Sequence, residues 1–275
     1  MVLALGVYFS LAIGTSDFLG GYLARRVDSF TAVVTFLCVG TLTAASMMTF
    51  VPSELLWRDV GFGALGGLTV GFALVLLYHG MTVASASVVS PVTGVLTATI
   101  PVGWSIATGE SLTGFVVVGI VVALVGLTAT TFSPELGDRA IAGVGWGLAS
   151  GTCFGVSLTF IGQADAESGM WTTVAQRAVA LLVLAMIALG RSVPLLVPRS
   201  LARVGIVGGI LAGSGVGAFV AGAQRGSLSE ITVTASMFPA VTVVLAALFE
   251  QHPLRWWQLG GLVTVVTGVV LIGVG

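Results

Sequence analysis

Two ionisable side chains stand inside long apolar stretches of this chain. Asp17 lies in Gly14-Thr15-Ser16-Asp17-Phe18, and Arg177 closes Thr173-Val174-Ala175-Gln176-Arg177. Burying a charge in a bilayer costs roughly 2.5–3.5 kcal/mol on insertion scales, so such a residue marks a functional candidate by default. A carboxylate there can bind a cationic group of a substrate or carry a coupling proton. A guanidinium can hold an anionic group or pair with the carboxylate. Each has a plainer reading as well. Asp17 can sit near the interface, hydrated or paired with Arg25 or Arg26, and Arg177 can snorkel outward on its long stem.

Other polar and aromatic groups are weaker pointers. Tyr78 and His79 interrupt the apolar stretch 60–109, and Tyr78 joins the candidate substrate-binding set with Trp146 and Gln176. Trp146 can wall a cavity or belong to an interfacial aromatic belt. Gln163, Gln176 and Gln224 are amides able to face a cavity, and His79 reads as a hydrated residue at a helix end. Glu110 and Glu250 occupy matching loop positions, where a carboxylate favours the positive start of the following helix. Pro91 and Pro239 suggest kinks that turn backbone carbonyls towards a cavity.

Catalytic chemistry finds no constellation here. The glycine-rich stretches lack a following Lys-Ser/Thr, so they are no phosphate loop. Cys38 and Cys153 are isolated, with neither metal-ligand nor disulfide spacing, and read as small packing residues. No cofactor is expected. A net charge of −1 excludes a basic nucleic-acid face.

The elements that must position these residues follow from composition. The 275 residues are 56% hydrophobic and 8% charged, far from the soluble norm of about 25% charged. Six runs, at 30–53, 111–134, 140–164, 204–224, 231–249 and 256–275, each reach the roughly 20 residues that span a bilayer as helix. Stretch 60–109 reads as two spans, and residues 1–22 and 170–190 add one each. The chain is therefore expected to be an all-α integral membrane protein of ten transmembrane helices. These lie near 3–23, 30–50, 60–79, 84–105, 112–132, 141–162, 170–190, 204–223, 228–249 and 256–274. The first is expected to be retained rather than cleaved as a signal peptide, because no basic residue precedes it.

The ten spans are two copies of one unit. Gly63, Gly66, Gly67 and Gly71 recur 142 positions later as Gly205, Gly208, Gly209 and Gly213, and Gly119 and Gly126 as Gly261 and Gly268. A shift of 137 lays Gly6-Val7-x-Phe9 over Gly143-Val144-x-Trp146. Residues 1–132 and 141–275 are thus the two five-helix repeats. Five is odd, so the second copy enters the membrane from the opposite side and the repeats are inverted. In this alignment Asp17 answers Phe154 and Arg177 answers Phe36, so both charges break the symmetry. Ladders such as Gly147/Gly151/Gly155 at four-residue spacing are small-residue faces that let helices approach closely in lipid.

This pattern resembles the drug/metabolite transporter superfamily, specifically proteins built from two EamA domains. The resemblance rests on the 5+5 repeat and the glycine-rich opening helix of each half. It rests also on the Pro-containing fourth helices, Ser90-Pro91 to Gly109-Glu110 and Phe238-Pro239 to Phe249-Glu250, and on Arg177 near the start of the second helix of its repeat. It implies a secondary active transporter, an exporter of a small metabolite or drug-like molecule, working by alternating access in the cell membrane. A coupling proton, a small-molecule substrate and the lipid bilayer are the partners it brings, and a monomer suffices because both halves are present. It also implies cytoplasmic termini. The Arg count opposes this, with Arg25, Arg26, Arg139, Arg191, Arg199, Arg203 and Arg255 after odd spans against Arg58 and Arg225 after even ones. A non-transporting scaffold is the alternative, and a membrane-embedded lipid enzyme a more distant one.

Overall fold

The computed structural model describes residues 1–109, 114–131, 137–225, 237–249 and 255–274. Ten α-helices make up nearly all of them: α1 Val2–Ala24, α2 Ser29–Met47, α3 Trp57–Val83, α4 Ala86–Ala107, α5 Gly114–Thr131, α6 Asp138–Ile161, α7 Met170–Gly190, α8 Ala202–Ala223, α9 Phe238–Phe249 and α10 Trp256–Val274. No strand occurs among the described residues. α1, α2, α3, α6, α7 and α8 are long and apolar enough to cross a membrane. The apolar stretches of the other four are shorter among the described residues.

Local chemistry sets the ends. Asp28 caps α2 by accepting the Phe30 N–H at 2.8 Å, satisfying one of the four donors a helix start leaves open. Gly109, at φ +95°, follows the last turn of α4, a left-handed position that glycine adopts without a Cβ penalty. Pro91 and Pro101 fall inside α4, whereas Pro239 is the second residue of α9. A first-turn proline removes no helical hydrogen bond, and residues 226–236, on which a kink at Pro239 depends, lie outside the described residues. Glu110 and Glu250 lie outside the described residues.

Apolar side chains lie both outside and inside the bundle. Large apolar side chains such as Leu3, Leu11, Leu182, Met186, Ile206 and Val263 point outward, while the interior mixes buried apolar side chains such as Leu23, Leu37, Phe36 and Leu184 with glycines and hydroxyl residues. In lipid no hydrophobic drive pulls leucines together, and close backbone packing does that work instead.

The two halves embrace. α3 packs on α6 and α7, and α8 packs on α1 and α2. α4 lies on α6, α9 on α1, α5 on α10, and α2 on α7. Exchanging α1–α5 with α6–α10 returns the same set of pairs. The glycine ladders explain why: Gly63, Gly67 and Gly71 press on α7, while Gly205, Gly209 and Gly213 press on α2.

At one end of the bundle the α2–α3 and α6–α7 connections are tied together. The Glu54 N–H donates to the Glu167 carbonyl at 2.8 Å, the Met170 N–H to Ser53 Oγ at 3.0 Å, and the Asp165 N–H to Asp59 Oδ2 at 2.9 Å. Gln224 Nε2 braces both by donating to the carbonyls of Pro52 and Ala166. This amide is therefore a strut between loops rather than a cavity group. Asp59 is fully buried and carries the sharpest expectation. Asp59→Ala strands the Asp165 N–H and should lower stability by about 1–3 kcal/mol, whereas Asp59→Asn keeps an acceptor and loses less. Thermal unfolding of the purified variants measures this; equal losses would take the hydrogen bond out of the account.

Candidate functional site

The polar candidates converge because of three glycine vacancies. Gly20, one turn after Asp17, leaves the space on α1 that the Tyr78 ring of α3 occupies; a Cβ at Gly20 would strike that ring. Gly208 on α8 leaves the matching space for Phe36 of α2. The two rings then meet edge to face, centroids 6.0 Å apart. Gly40 on α2 makes room for Arg177, since a Cβ there would lie 2.8 Å from Nη1.

Asp17 is 7% exposed and Tyr78 1%. The Tyr78 hydroxyl lies within hydrogen-bonding reach of the Asp17 carboxylate and of the Ser16 hydroxyl. Ser16 Oγ in turn donates to the Gly208 carbonyl at 2.9 Å. Arg177 turns inward between α2 and α8. Its Nη2 donates to the Ala212 carbonyl at 2.9 Å, and its buried Nε has no hydrogen-bond partner.

Several expectations are corrected here. Arg177 does not snorkel, because its guanidinium is held between α2 and α8. Among the described residues its partner is a backbone carbonyl rather than Asp17. Arg25 and Arg26 donate to the carbonyls of Met81 and Tyr22, so neither reading of Asp17 as their surface partner is needed. His79 is inside α3 rather than at its end, with its ring 4.6 Å from that of Trp146. Trp146 Cβ faces Gly80, which ties this residue to the α3–α6 packing. Gln176 points away from Arg177: its Nε2 donates to Ser157 Oγ at 2.8 Å, and Ser157 Oγ donates to the Gly66 carbonyl.

The structure thus joins Asp17, Tyr78 and Arg177 and assigns Trp146 and Gln176 to separate contacts. It adds Ser16 and Gly40, whose signal in the sequence is only a hydroxyl beside Asp17 and a glycine in an apolar run.

The register between halves also shifts. Gly67 meets the Gln176 carbonyl and Val179; Gly209 meets the Phe36 carbonyl and Val39. Phe36 therefore answers Gln176, and Arg177 answers Leu37. Likewise Ser16 donates to Gly208 as Ser157 donates to Gly66, so Asp17 answers Leu158 rather than Phe154. Both charges still face apolar counterparts. The asymmetry survives the corrected register.

What the cluster can do follows from its groups. It offers a buried carboxylate with a phenolic donor, and a guanidinium with one N–H unmet. A buried polar group without a partner is costly, so an incoming acceptor at that N–H is favoured. No group of His, Cys, Asp and Glu able to hold a metal occurs among the described residues.

Comparison with known proteins bears on the whole. Residues 141–274 match the EamA-like transporter family, a family of membrane transporters. A crystal structure of another protein superposes with a TM-score of 0.64 over 98% of this chain and 94% of that one, at 14% identity. That likeness is one of fold. No curated protein matches the chain.

Proposed function

We propose that this chain is a secondary transporter of the drug/metabolite superfamily that exports a small organic molecule across the cell membrane. Residues 1–132 are, in this reading, a second EamA-like unit inverted against the one at 141–274. The two halves rock about the Asp17–Tyr78–Arg177 cluster, which faces each side of the membrane in turn. The energy source is an ion gradient, with a proton carried by Asp17 as the simplest form. One chain carries both halves, so a monomer is the working unit.

The observation that carries this reading is the α5–α10 crossing. A Cβ at Gly126 would sit 2.7 Å from the Gly261 carbonyl oxygen, and one at Gly268 would sit 2.6 Å from that of Gly119. Each contact is the other shifted by 142 residues and reversed. Such reciprocity is what a two-fold axis between repeats produces. The family match to 141–274 supplies the transport function.

A ligand screen tests it. The purified protein is heated with amino acids, sugars, nucleosides, polyamines or lipophilic cations in turn. A ligand at a hundred times its dissociation constant should stabilise the fold by about 2.7 kcal/mol, and that ligand should then move across proteoliposomes when a proton gradient is imposed. A protein that melts identically throughout the panel and moves none of these compounds is better described as a scaffold.

A further inference from the structure

A groove of about 500 Å³ opens on the outer face of α3, away from the central cluster. Gly61, Phe62, Ala64, Leu65 and Leu68 of α3 line it together with Val179 of α7, and Arg58 stands at the α3 start. The lining is almost wholly apolar, and a Cβ added at Gly61 would meet nothing within 4 Å. From Arg58 to Leu68 the helix rises about 15 Å, which is half the roughly 30 Å hydrocarbon core of a bilayer. The groove is therefore as long as one leaflet.

Its mouth is marked as the headgroup level. Trp57 precedes Arg58 at the start of α3 and is 77% exposed, the amphipathic anchor expected at a membrane–water interface. Two charged side chains stand open there: Arg58 at 64% and Asp165 at 60% exposure. Arg58 Nη1 lies 3.8 Å from Asp165 and Nε lies 3.5 Å from Asp59, both beyond ordinary hydrogen-bond length. Only Nη2 donates, to the Gln163 carbonyl. The guanidinium thus keeps donors available to an outside acceptor.

The charge balance selects the headgroup. One guanidinium faces two carboxylates, Asp59 and Asp165, so a lipid with net negative charge is repelled. A lipid bearing its own cation is complemented instead. A primary ammonium has three donors, and the exposed Asp165 carboxylate has lone pairs to receive them. We propose that this groove holds an acyl chain of a zwitterionic aminophospholipid, phosphatidylethanolamine, with its phosphate on Arg58 and its ammonium on Asp165.

The test needs no transport substrate. The full chain in mild detergent is incubated with phosphatidylethanolamine, phosphatidylcholine or phosphatidylglycerol of identical acyl chains, and native mass spectrometry counts bound lipid. Phosphatidylethanolamine should be retained at one per chain, at about tenfold lower lipid concentration than the other two. Gly61→Leu fills the groove and should lose the lipid while melting like the wild type. Asp165→Asn should keep a bound lipid but no longer distinguish ethanolamine from choline headgroups. Equal retention of the three lipids, or retention unchanged by Gly61→Leu, overturns the proposal.

Discussion

Asp17→Asn should leave a protein that folds and melts like the wild type and, on the proposed transport function, moves substrate about ten- to a hundredfold more slowly. Asparagine is nearly the same shape as aspartate, and its amide oxygen still accepts from Tyr78, which lies within hydrogen-bonding reach of Asp17. Removing the charge relieves an insertion cost of a few kcal/mol, so stability does not fall. What disappears is the charged acceptor. A hydrogen bond to a charged group is worth about 1.5–3 kcal/mol, and each 1.36 kcal/mol is tenfold in rate. Whether Asp17 meets a cationic substrate or carries the coupling proton, its neutral isostere removes that term. Proteoliposome flux, normalised to folded protein, reads the effect. Wild-type flux in the asparagine variant would make Asp17 a packing residue and empty the central cluster of its role.

The second large effect is on the fold. Gly126→Ala and Gly268→Ala should each destabilise the protein by about 2–3 kcal/mol, at the upper end of ordinary overpacking. A new methyl at Gly126 meets the Val265 nitrogen at 2.5 Å, and one at Gly268 meets the backbone nitrogen of Ala123. Backbone cannot swing aside as a flexible side chain does, so α5 and α10 must separate. Gly260→Ala on the same α10 is the control. Nothing lies within 4 Å of a Cβ there, and the helix propensity of alanine makes it neutral or stabilising by up to about 1 kcal/mol. The two destabilised variants should lose similar amounts, because their contacts are counterparts. Thermal unfolding in detergent measures all three. Two neutral substitutions at 126 and 268 would mean that this crossing is not as tight as described.

Much of the architecture was legible before any coordinates. Charge-free runs marked where helices fall, because a backbone in lipid must satisfy its own polar groups within the segment. Boundaries moved only modestly: α3 runs to Val83 rather than 79, which carried His79 into the helix. Glycines at four-residue spacing marked the faces that pack, since four residues return to the same side of a helix.

The candidate site was legible only in part. Asp17 and Arg177 announced themselves as charges in apolar runs. Tyr78 was recognisable as a polar interruption but not as the residue between them. Trp146 and Gln176 carried the same kind of signal and have other neighbours, His79 for one and Ser157 for the other. Residue type cannot separate these cases, because adjacent positions on a helix point 100° apart. Gln176 and Arg177 are neighbours in sequence and face different partners for that reason alone.

What the sequence by itself determined is local and periodic: membrane character, helix positions and small-residue faces. Each is a property of consecutive residues. The tertiary structure alone decided that the Gly63 ladder faces α7 in the other half, that Ser157 rather than Cys153 is the counterpart of Ser16, and that Arg177 is lodged against Gly40 and Ala212. Those pairings sum many weak contacts between different helices, most of them far apart in sequence. In lipid, where leucine outside is as well solvated as leucine inside, no hydrophobic stripe marks the partner in advance.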